Sequence, residues 1–557
     1  MLTKMIQAIL DNRALKYLVY LITFAMFAGA VWMIPSELVK AKMLPGKDSN
    51  TFSVYVDMPK GTALKDTREV AECITDIIQK EPEVITSSIF LSEGQPLDFA
   101  GMVKGSAMKM DEYQAEIMVN LEKEEERKEK SYDMVHRLRP VIQKSCTKYD
   151  ANIKMIELPA GPPTLADVVA EIYGGKSFES RRDFAYKVAK VLKKQDTLVD
   201  VDVMADRDTY EYELVLNNNK LIESGVGLDQ IKKVLYTAFE GASIGVINSA
   251  HAENQIPLFL RLGKSRVLEN GSKEDIEFKL KNLKLMNPNG LRIPAINFVK
   301  VKKVKQAPTI TSKNLYPMIN VIATTDEESQ NYPLLDARDY MLKNFKDRYE
   351  VTPSNLLNLH FKDKKTGDEF DLKWDGELKV TIDTFIDLGT AFIGALVLIY
   401  FLMVIYYKRF ALAGAILMAS FLSIIGVIVG HWVMDQFTPN TFYLTATSLI
   451  GFIGLIGINA RNSLLIVDFT KQLMKEKGYH ANKAIAVATA TRAKPILLTV
   501  LAIVLASSLL ATDAVFGGLG VALIGGTLFA YLVSLFFVPP AIQNSIKKIE
   551  HHEQADI

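Results

Sequence analysis

Six apolar runs constrain this chain more than any other feature. A helix needs about 20 apolar residues to cross the hydrocarbon of a bilayer. Residues 18–34, "LVYLITFAMFAGAVWMI", reach that length when extended back to Ala14, with Lys16 snorkelling to the surface. The other runs are 388–407, 410–434, 441–467, 495–512 and 514–538. The pattern predicts an α-helical membrane protein of six spans, one near the N-terminus and five clustered at the other end. A cleaved signal peptide is the competing reading of the first run, but no small-residue cleavage site follows it.

Lys and Arg in short loops set the orientation. Lys4, Arg13 and Lys16 precede the first span. Lys408 and Arg409 separate the second and third. Lys471, Lys475, Lys477, Lys483, Arg492 and Lys494 lie between the fourth and fifth, and Lys547 and Lys548 follow the sixth. The alternate loops, "DQFTPN" and "TDA", carry neither residue type. Both termini are therefore expected in the cytoplasm, and residues 35–380 on the far side.

That far-side region reads as alternating α and β. Strands are expected at "TFSVYVD", "VITSSIFL", "YQAEIMVNL" and "NIKMIEL", with helices over 63–80 and 131–148. The charged run "EKEEERKEK" between them reads as a solvated loop or helix start. After the break "PAGPP" come the strand "DVVAEIYG", a helix over 178–194, the strands "LVDVDVM" and "YEYELVL", and a helix over 228–240. Residues 241–315 are richer in Gly, Asn and short strands. The strand "PMINVIATT" and a helix over 334–345 then resume the pattern. Two βαββαβ-like units, the second interrupted by an insertion, account for this order. The expected division is 1–13, 14–34 (first span), 35–158, 159–240, 241–315 (insertion), 316–380, 381–545 (five-helix bundle) and 546–557.

Composition excludes more than it selects. Across 557 residues, 65 Lys and Arg balance 64 Asp and Glu, so nothing draws the chain globally toward nucleic acid. There is no Walker loop. The seven His include the pair His551–His552 and form no His-x-x-x-His. No enzyme, cofactor or metal centre is expected. Cys73 and Cys146 form neither a disulfide framework nor a zinc pattern, and each sits in a segment read as helix. Two small buried thiols are expected, a single bridge being the alternative.

Charge inside the spans is the one chemical signal. From 437 to 467 the chain is apolar or small and uncharged except for Arg461. Charge at membrane depth is expensive, whether by ~3 kcal/mol or several times more. Arg461 precedes Val467 by six residues, ~9 Å at 1.5 Å each. It is either an interfacial arginine reaching for headgroups or a fixed cation paired with buried carboxylates. Gly451, Gly454 and Gly457 favour the second, since small residues at this spacing admit a neighbouring helix. Arg492 and Thr499 are seven apart, hence on one helix face if Pro495 only kinks it; Arg492 alone also reads as a cytoplasmic anchor. Buried cations need anions. Yet Asp383, Asp387, Asp435, Asp468 and Asp513 all lie near span ends. The compensating carboxylates are therefore expected from another polypeptide.

"GINARNSLLIVDF" (457–469) followed by "RAKPILLTVLA" (492–502) resembles the fourth and fifth membrane helices in the C-terminal half of RND (resistance–nodulation–division) efflux transporters. "MIPSELVKAKMLPGKDSNTFSVYVDMPKGT" (33–62) resembles the exit from that half's first helix. "LPAGPPTLADVVAEIYG" (158–174) resembles the junction between its two porter subdomains. The likeness covers nearly the whole chain. It implies a 1+5 helix layout, periplasmic porter subdomains of βαββαβ type and a docking-type insertion. It also implies a partner chain, the N-terminal half, whose intramembrane aspartates complete a proton relay. By position, Arg461 takes the place of the family's usual Lys, and Asn462, Arg492 and Thr499 match its other relay residues. An arginine stays charged where a lysine releases its proton, so a swinging countercharge is retained and a neutral-lysine step is not. The loop 98–110 resembles the family's switch loop, with Phe99, Gly101, Met102, Gly105, Met108 and Met110 lining a substrate pocket. Thioether ligation of Cu(I) or Ag(I), and a plain surface loop, are the alternatives there. The likeness further implies a trimer in the bacterial inner membrane, a periplasmic adaptor protein and an outer-membrane channel, with proton-driven export as the activity. A Sec-translocon accessory protein of related fold and a degenerate, non-transporting half are the competing functions.

Overall fold

The computed structural model describes all residues except 45, 47, 97–98, 159–160, 162–163, 253–254, 264–270, 327–328, 356, 439 and 556–557. Most of the "PAGPP" break thus lies outside the described residues, as do the side chains of Phe99, His551 and His552. Two compact units make up the chain: residues 1–205 with 310–557, and residues 206–309.

The first unit opens with α1 (Leu2–Asp11), an amphipathic helix that buries Ile6 and Leu10. It lies within 1–13, where the sequence reading names no element. The Asn12 side chain accepts the Ala14 N–H and so caps α2 (Arg13–Trp32), the first apolar helix. Next come β1 (Thr51–Asp57), α3 (Leu64–Ile78), β2 (Val84–Leu91), α4 (Phe99–Lys104), β3 (Gln114–Leu121), α5 (Ser131–Cys146) and β4 (Asn152–Ile156). The four strands pair antiparallel in the order β2-β3-β1-β4. Period-two alternation sends Val54, Val56, Ile117, Val119, Ile153 and Met155 against Val70, Ile74, Leu138 and Ile142 of the two long helices. The other face carries Tyr55, Glu116 and Lys154, all buried.

The expected pair of free thiols is not what forms. Cys73 and Cys146 are joined in a disulfide with their Cα atoms 5.8 Å apart. Because α3 and α5 lie side by side on one face of the sheet, residues 73 apart in sequence meet. Sequence spacing alone carries no sign of that contact.

The chain continues through β5 (Val168–Gly174), α6 (Phe178–Leu192) and β6 (Leu198–Met204), then leaves for the second unit. There β7 (Tyr210–Leu216), α7 (Asn218–Ser224), α8 (Leu228–Phe239), β8 (Ala242–Ile247), β9 (Ile256–Leu260), α9 (Lys273–Asn282), β10 (Lys284–Met286), β11 (Arg292–Pro294) and β12 (Val299–Lys305) follow. The sequence sets the insertion at 241–315; the β7–β12 ladder, from Tyr210↔Lys305 to Leu216↔Val299, instead closes it at Asp206–Thr309. "YEYELVL" and the helix after it thus belong with the insertion, because their apolar partners Phe298, Val299 and Val301 come from its far end.

Back in the first unit are β13 (Thr311–Lys313), β14 (Tyr316–Thr325), α10 (Asn331–Asn344), β15 (Tyr349–Pro353), β16 (Leu359–Asp363) and β17 (Glu369–Asp375). With β5 and β6 they form a seven-stranded sheet, β13-β14-β5-β17-β16-β15, with β6 also on β14. The three strands after α10 exceed the expected pattern; they are short, and Lys, Asp and Glu interrupt their apolar runs.

Then come α11 (Glu377–Tyr407), α12 (Phe410–Phe421), α13 (Ile424–Asp435), α14 (Ala446–Lys477), α15 (Ala481–Leu510), α16 (Gly517–Phe536) and α17 (Val538–Ala555). Among the described residues six helices are long and apolar enough to cross a membrane: α2, α11, the α12–α13 pair, α14, α15 and α16. Glycine sets the closest approach in this group. A Cβ on Gly426 would stand 2.2 Å from the Gly525 carbonyl oxygen, and one on Gly525 the same distance from that of Gly426. The backbones of α13 and α16 therefore touch directly.

Candidate functional site

Thr445 and Ser448 form a capping box that starts α14, and the helix runs to Lys477, ten residues past the apolar run. Arg461 thus sits at mid-helix. The exposed stripe of α14 is Ile450, Gly454, Gly457, Arg461 and Leu465. The three glycines differ. A Cβ on Gly451 would meet Leu519 at 2.9 Å, so this position packs against α16. Cβ atoms on Gly454 and Gly457 would meet nothing within 4 Å. The outward notch beside Arg461 is open, and among the described residues Arg461 forms no ion pair.

Asn462, one residue on and hence about 100° around the helix, is turned inward and 3% exposed. Arg461 and Asn462 do not share a face. Asn459 is buried too, and both atoms of its amide lack a hydrogen-bond partner among the described residues. The sequence signal for it was an amide inside an apolar run, overshadowed by the arginine two residues later.

α15 passes through Pro495 without a break, so Arg492 and Thr499 do stand on one continuous helix. The Arg492 guanidinium lies over the Phe469 ring of α14, 4.7 Å from its centroid, and its Nε is buried without a hydrogen-bond partner among the described residues. The Thr499 hydroxyl donates to the Pro495 carbonyl at 3.1 Å. The acids near the span ends are used locally. Asp468 accepts the Tyr407 hydroxyl at 2.9 Å, Asp435 accepts the Phe442 N–H at 2.7 Å, and Asp513 accepts the N–H groups of Val515 and Phe516. None of them compensates Arg461 or Arg492.

The segment expected as a glycine-softened loop is partly helical. Gly101 is buried inside α4, and Gly105 follows the helix at φ +89°, a conformation that only glycine adopts freely. Phe99 starts α4. Met102, Met108 and Met110 are exposed, at 60%, 79% and 78%.

A seam of charge joins the two sheets of the first unit. Lys154 of β4 bridges Asp57 at 3.1 Å and Asp202 of β6 at 2.6 Å. Arg139 of α5 reaches Asp326 at 2.8 Å and Asp200 at 3.3 Å. Burial would push the Asp57 carboxyl up, but Lys154 and Lys109 outweigh it and hold it well below the usual carboxylate range. Burial pulls the Lys154 ammonium down, and Asp57 and Asp202 more than offset that. Asp200 is pushed up by burial despite Arg139. A depressed Asp57 contributes stability that is present above ~3.9, the unfolded value, and lost as pH falls toward the folded one. Removing the cation leaves Asp202 without its ammonium and Asp57 with Lys109 alone. Lys154→Met is therefore expected to lower stability by about 3 kcal/mol. A thermal melt of the purified variant checks this, and an unchanged midpoint would show that the seam carries no stability.

The chain matches the AcrB/AcrD/AcrF family over residues 2–542. It is similar to the swarming motility protein SwrC of Bacillus subtilis (strain 168), 23% identical, over 94% of this chain and 45% of that protein. It is also similar to the multidrug export protein AcrF of Escherichia coli (strain K12), 21% identical, over 93% of this chain and 47% of AcrF. The crystal structure of a heavy metal efflux pump superposes with a TM-score of 0.73 at 16% identity, over 98% of this chain and 52% of that one. The chain spans about half the length of the curated relatives it matches.

Proposed function

Because the chain belongs to the AcrB/AcrD/AcrF family of RND efflux transporters, we propose that it is the C-terminal-type half of a proton-driven export permease. The observation that carries this reading is Arg461, a permanent cation at mid-helix, on an open glycine notch, with no acid beside it among the described residues. The notch fits a second helix bundle that brings carboxylates to the guanidinium. A proton arriving from the far side neutralises one of those carboxylates. Arg461 then loses a partner and reorients, and the helices shift against each other. The two sheet-based subdomains, as porters, and the unit Asp206–Thr309, as a docking element, pass that shift to the substrate path. The activity is transport and not enzymatic turnover.

Lys and Arg placement supports an inner-membrane protein with cytoplasmic termini and a large periplasmic region. The Cys73–Cys146 bridge supports the same topology, since disulfides persist in oxidising compartments. Membership of the family supports, as the resemblance implies, assembly as a trimer with an adaptor and an outer-membrane channel.

Affinity purification from the native membrane tests the reading: a second six-helix polypeptide with intramembrane aspartates is expected to come down with this chain. Gly454→Leu puts a side chain into the notch from an exposed position where an added Cβ meets nothing within 4 Å. It is expected to leave the melting temperature within about 1 °C, the shift of a change well under 1 kcal/mol, while the partner is lost from the eluate. Undiminished recovery of the partner in that variant rejects the notch as the contact.

A further inference from the structure

The unit Asp206–Thr309 holds a cavity that the export reading leaves unused. Asp275, Phe278, Lys279 and Asn282 of α9 line it. At i, i+3, i+4 and i+7 they form one stripe of the helix. Ile276 and Leu280, on another face, belong to the apolar core of the unit. Leu262 and Gly263, just past β9, also line the cavity. A Cβ on Gly263 would meet nothing within 4 Å, so the backbone there leaves the space open. The cavity measures about 230 Å³. That is the share of roughly seven or eight waters in the liquid. It is also below the ~300 Å³ at which pockets for drug-sized molecules begin. An occupant of amino-acid size fits.

Asp275 is the unusual member of the stripe. The Ser272 side-chain oxygen accepts the Asp275 N–H at 3.1 Å and so caps α9. Asp275 Oδ2 in turn accepts the Gly271 N–H at 3.0 Å and the Lys279 ammonium at 2.7 Å. One oxygen thus does all that a helix start asks of an acid. The other, Oδ1, is buried with no hydrogen-bond partner among the described residues, and the residue as a whole is 0% exposed. A buried acceptor without a donor is costly, and more so on a charged group. An acid that only starts a helix has no need of such burial; Glu274 beside it is exposed. An N–H donor brought in through the cavity meets the need of Oδ1, and an ammonium meets it best.

The same stripe supplies what the rest of such a ligand requires. The Lys279 ammonium is a donor for a carboxylate. The Phe278 ring, 51% exposed, is an apolar wall. Acid, ammonium and ring match the ammonium, carboxylate and side chain of one free amino acid. A peptide terminus brings only one of the two charges, and a simple amine lacks the anion. We propose that this cavity binds a free zwitterionic α-amino acid with an apolar side chain, its ammonium on Asp275, its carboxylate on Lys279 and its side chain against Phe278. The site lies wholly within the unit Asp206–Thr309. Its occupancy goes beyond the export reading and depends on neither Arg461 nor a partner half.

Equilibrium dialysis of the purified full chain in detergent against tritiated leucine tests it. Saturable binding is expected. Leucinamide, which lacks the carboxylate, and N-acetylleucine, which lacks the ammonium, are each expected to compete about tenfold or more weakly, the loss of one charge-assisted contact. Lys279→Gln keeps a donor for Oδ2 and removes the charge. It is expected to weaken leucine about tenfold and to leave leucinamide within about twofold. Asp275→Asn is expected to weaken leucine as much and to leave N-acetylleucine within about twofold. Phe278→Ala trims an exposed ring and is expected to weaken leucine about fivefold. A purely structural role for Asp275 and Lys279 predicts instead that their variants weaken leucine and both blocked analogues alike, which overturns the proposal. So does equal competition by all three compounds, or the lack of saturable leucine binding to folded wild type. Should Asp275→Asn not fold, Lys279→Gln, Phe278→Ala and the analogues on wild type decide by the same criteria. Efflux in Arg461 variants bears on the export reading alone.

Discussion

Arg461→Ala is expected to bring efflux down to the level of cells lacking the gene, with the amount of membrane-inserted protein unchanged. Two observations set the two halves of that outcome. The guanidinium makes no ion pair within the chain among the described residues and stands on an exposed stripe, so its loss leaves the chain's own packing intact. On the proposed reading it is the countercharge for acids of the partner half, and removing one partner of such a pair costs about 3–5 kcal/mol, more than a hundredfold in an equilibrium. Arg461→Lys keeps the charge but not the planar fork, and partial activity is expected. Drug-resistance plates and quantitative membrane blots from the same cultures measure both quantities. Wild-type resistance with Ala at 461 would falsify the relay.

The second large effect belongs to the Cys73–Cys146 bridge. It closes a loop of 73 residues across α3 and α5. Chain-entropy bookkeeping puts such a closure at about 4 kcal/mol. Cys73→Ser with Cys146→Ser is therefore expected to lower the melting midpoint of the first α/β subdomain, and reductant to do the same to wild type. Reductant added to the double variant is expected to do nothing further. A wild-type midpoint indifferent to reductant would mean the thiols stay unpaired, and would remove one support for a periplasmic location.

Much of the fold was legible because its elements are strongly periodic. "TFSVYVD" alternates and forms β1 with an alternating core face; the helices over 63–80 and 131–148 appear as α3 and α5, shortened by one to two residues at their ends. What escaped was what periodicity does not encode. The disulfide depends on two helices being neighbours. The extent of the insertion depends on β7 finding β12 some ninety residues later. The far end of α14 is amphipathic and charged, so an apolar-run criterion stops it at Val467 while hydrogen bonding carries it to Lys477. The candidate site divides the same way. A lone arginine in an apolar run is conspicuous, whereas Asn459 is uncharged and its burial shows only once α14 is packed.

α11 has a mechanical consequence. At 31 residues it is ~46 Å long, against ~30 Å of hydrocarbon, so about ten residues stand clear of the bilayer. Its first residue follows Gly376, which follows β17, and that glycine holds φ +81° with the Ala166 carbonyl 2.7 Å from where a Cβ would be. A single residue thus serves as the joint between a sheet and a stiff rod with no slack in it. A tilt of about 3° over that length moves the far end by about 2 Å, so on the proposed reading a longer joint at Gly376 is expected to weaken the transmission of helix movement to β17.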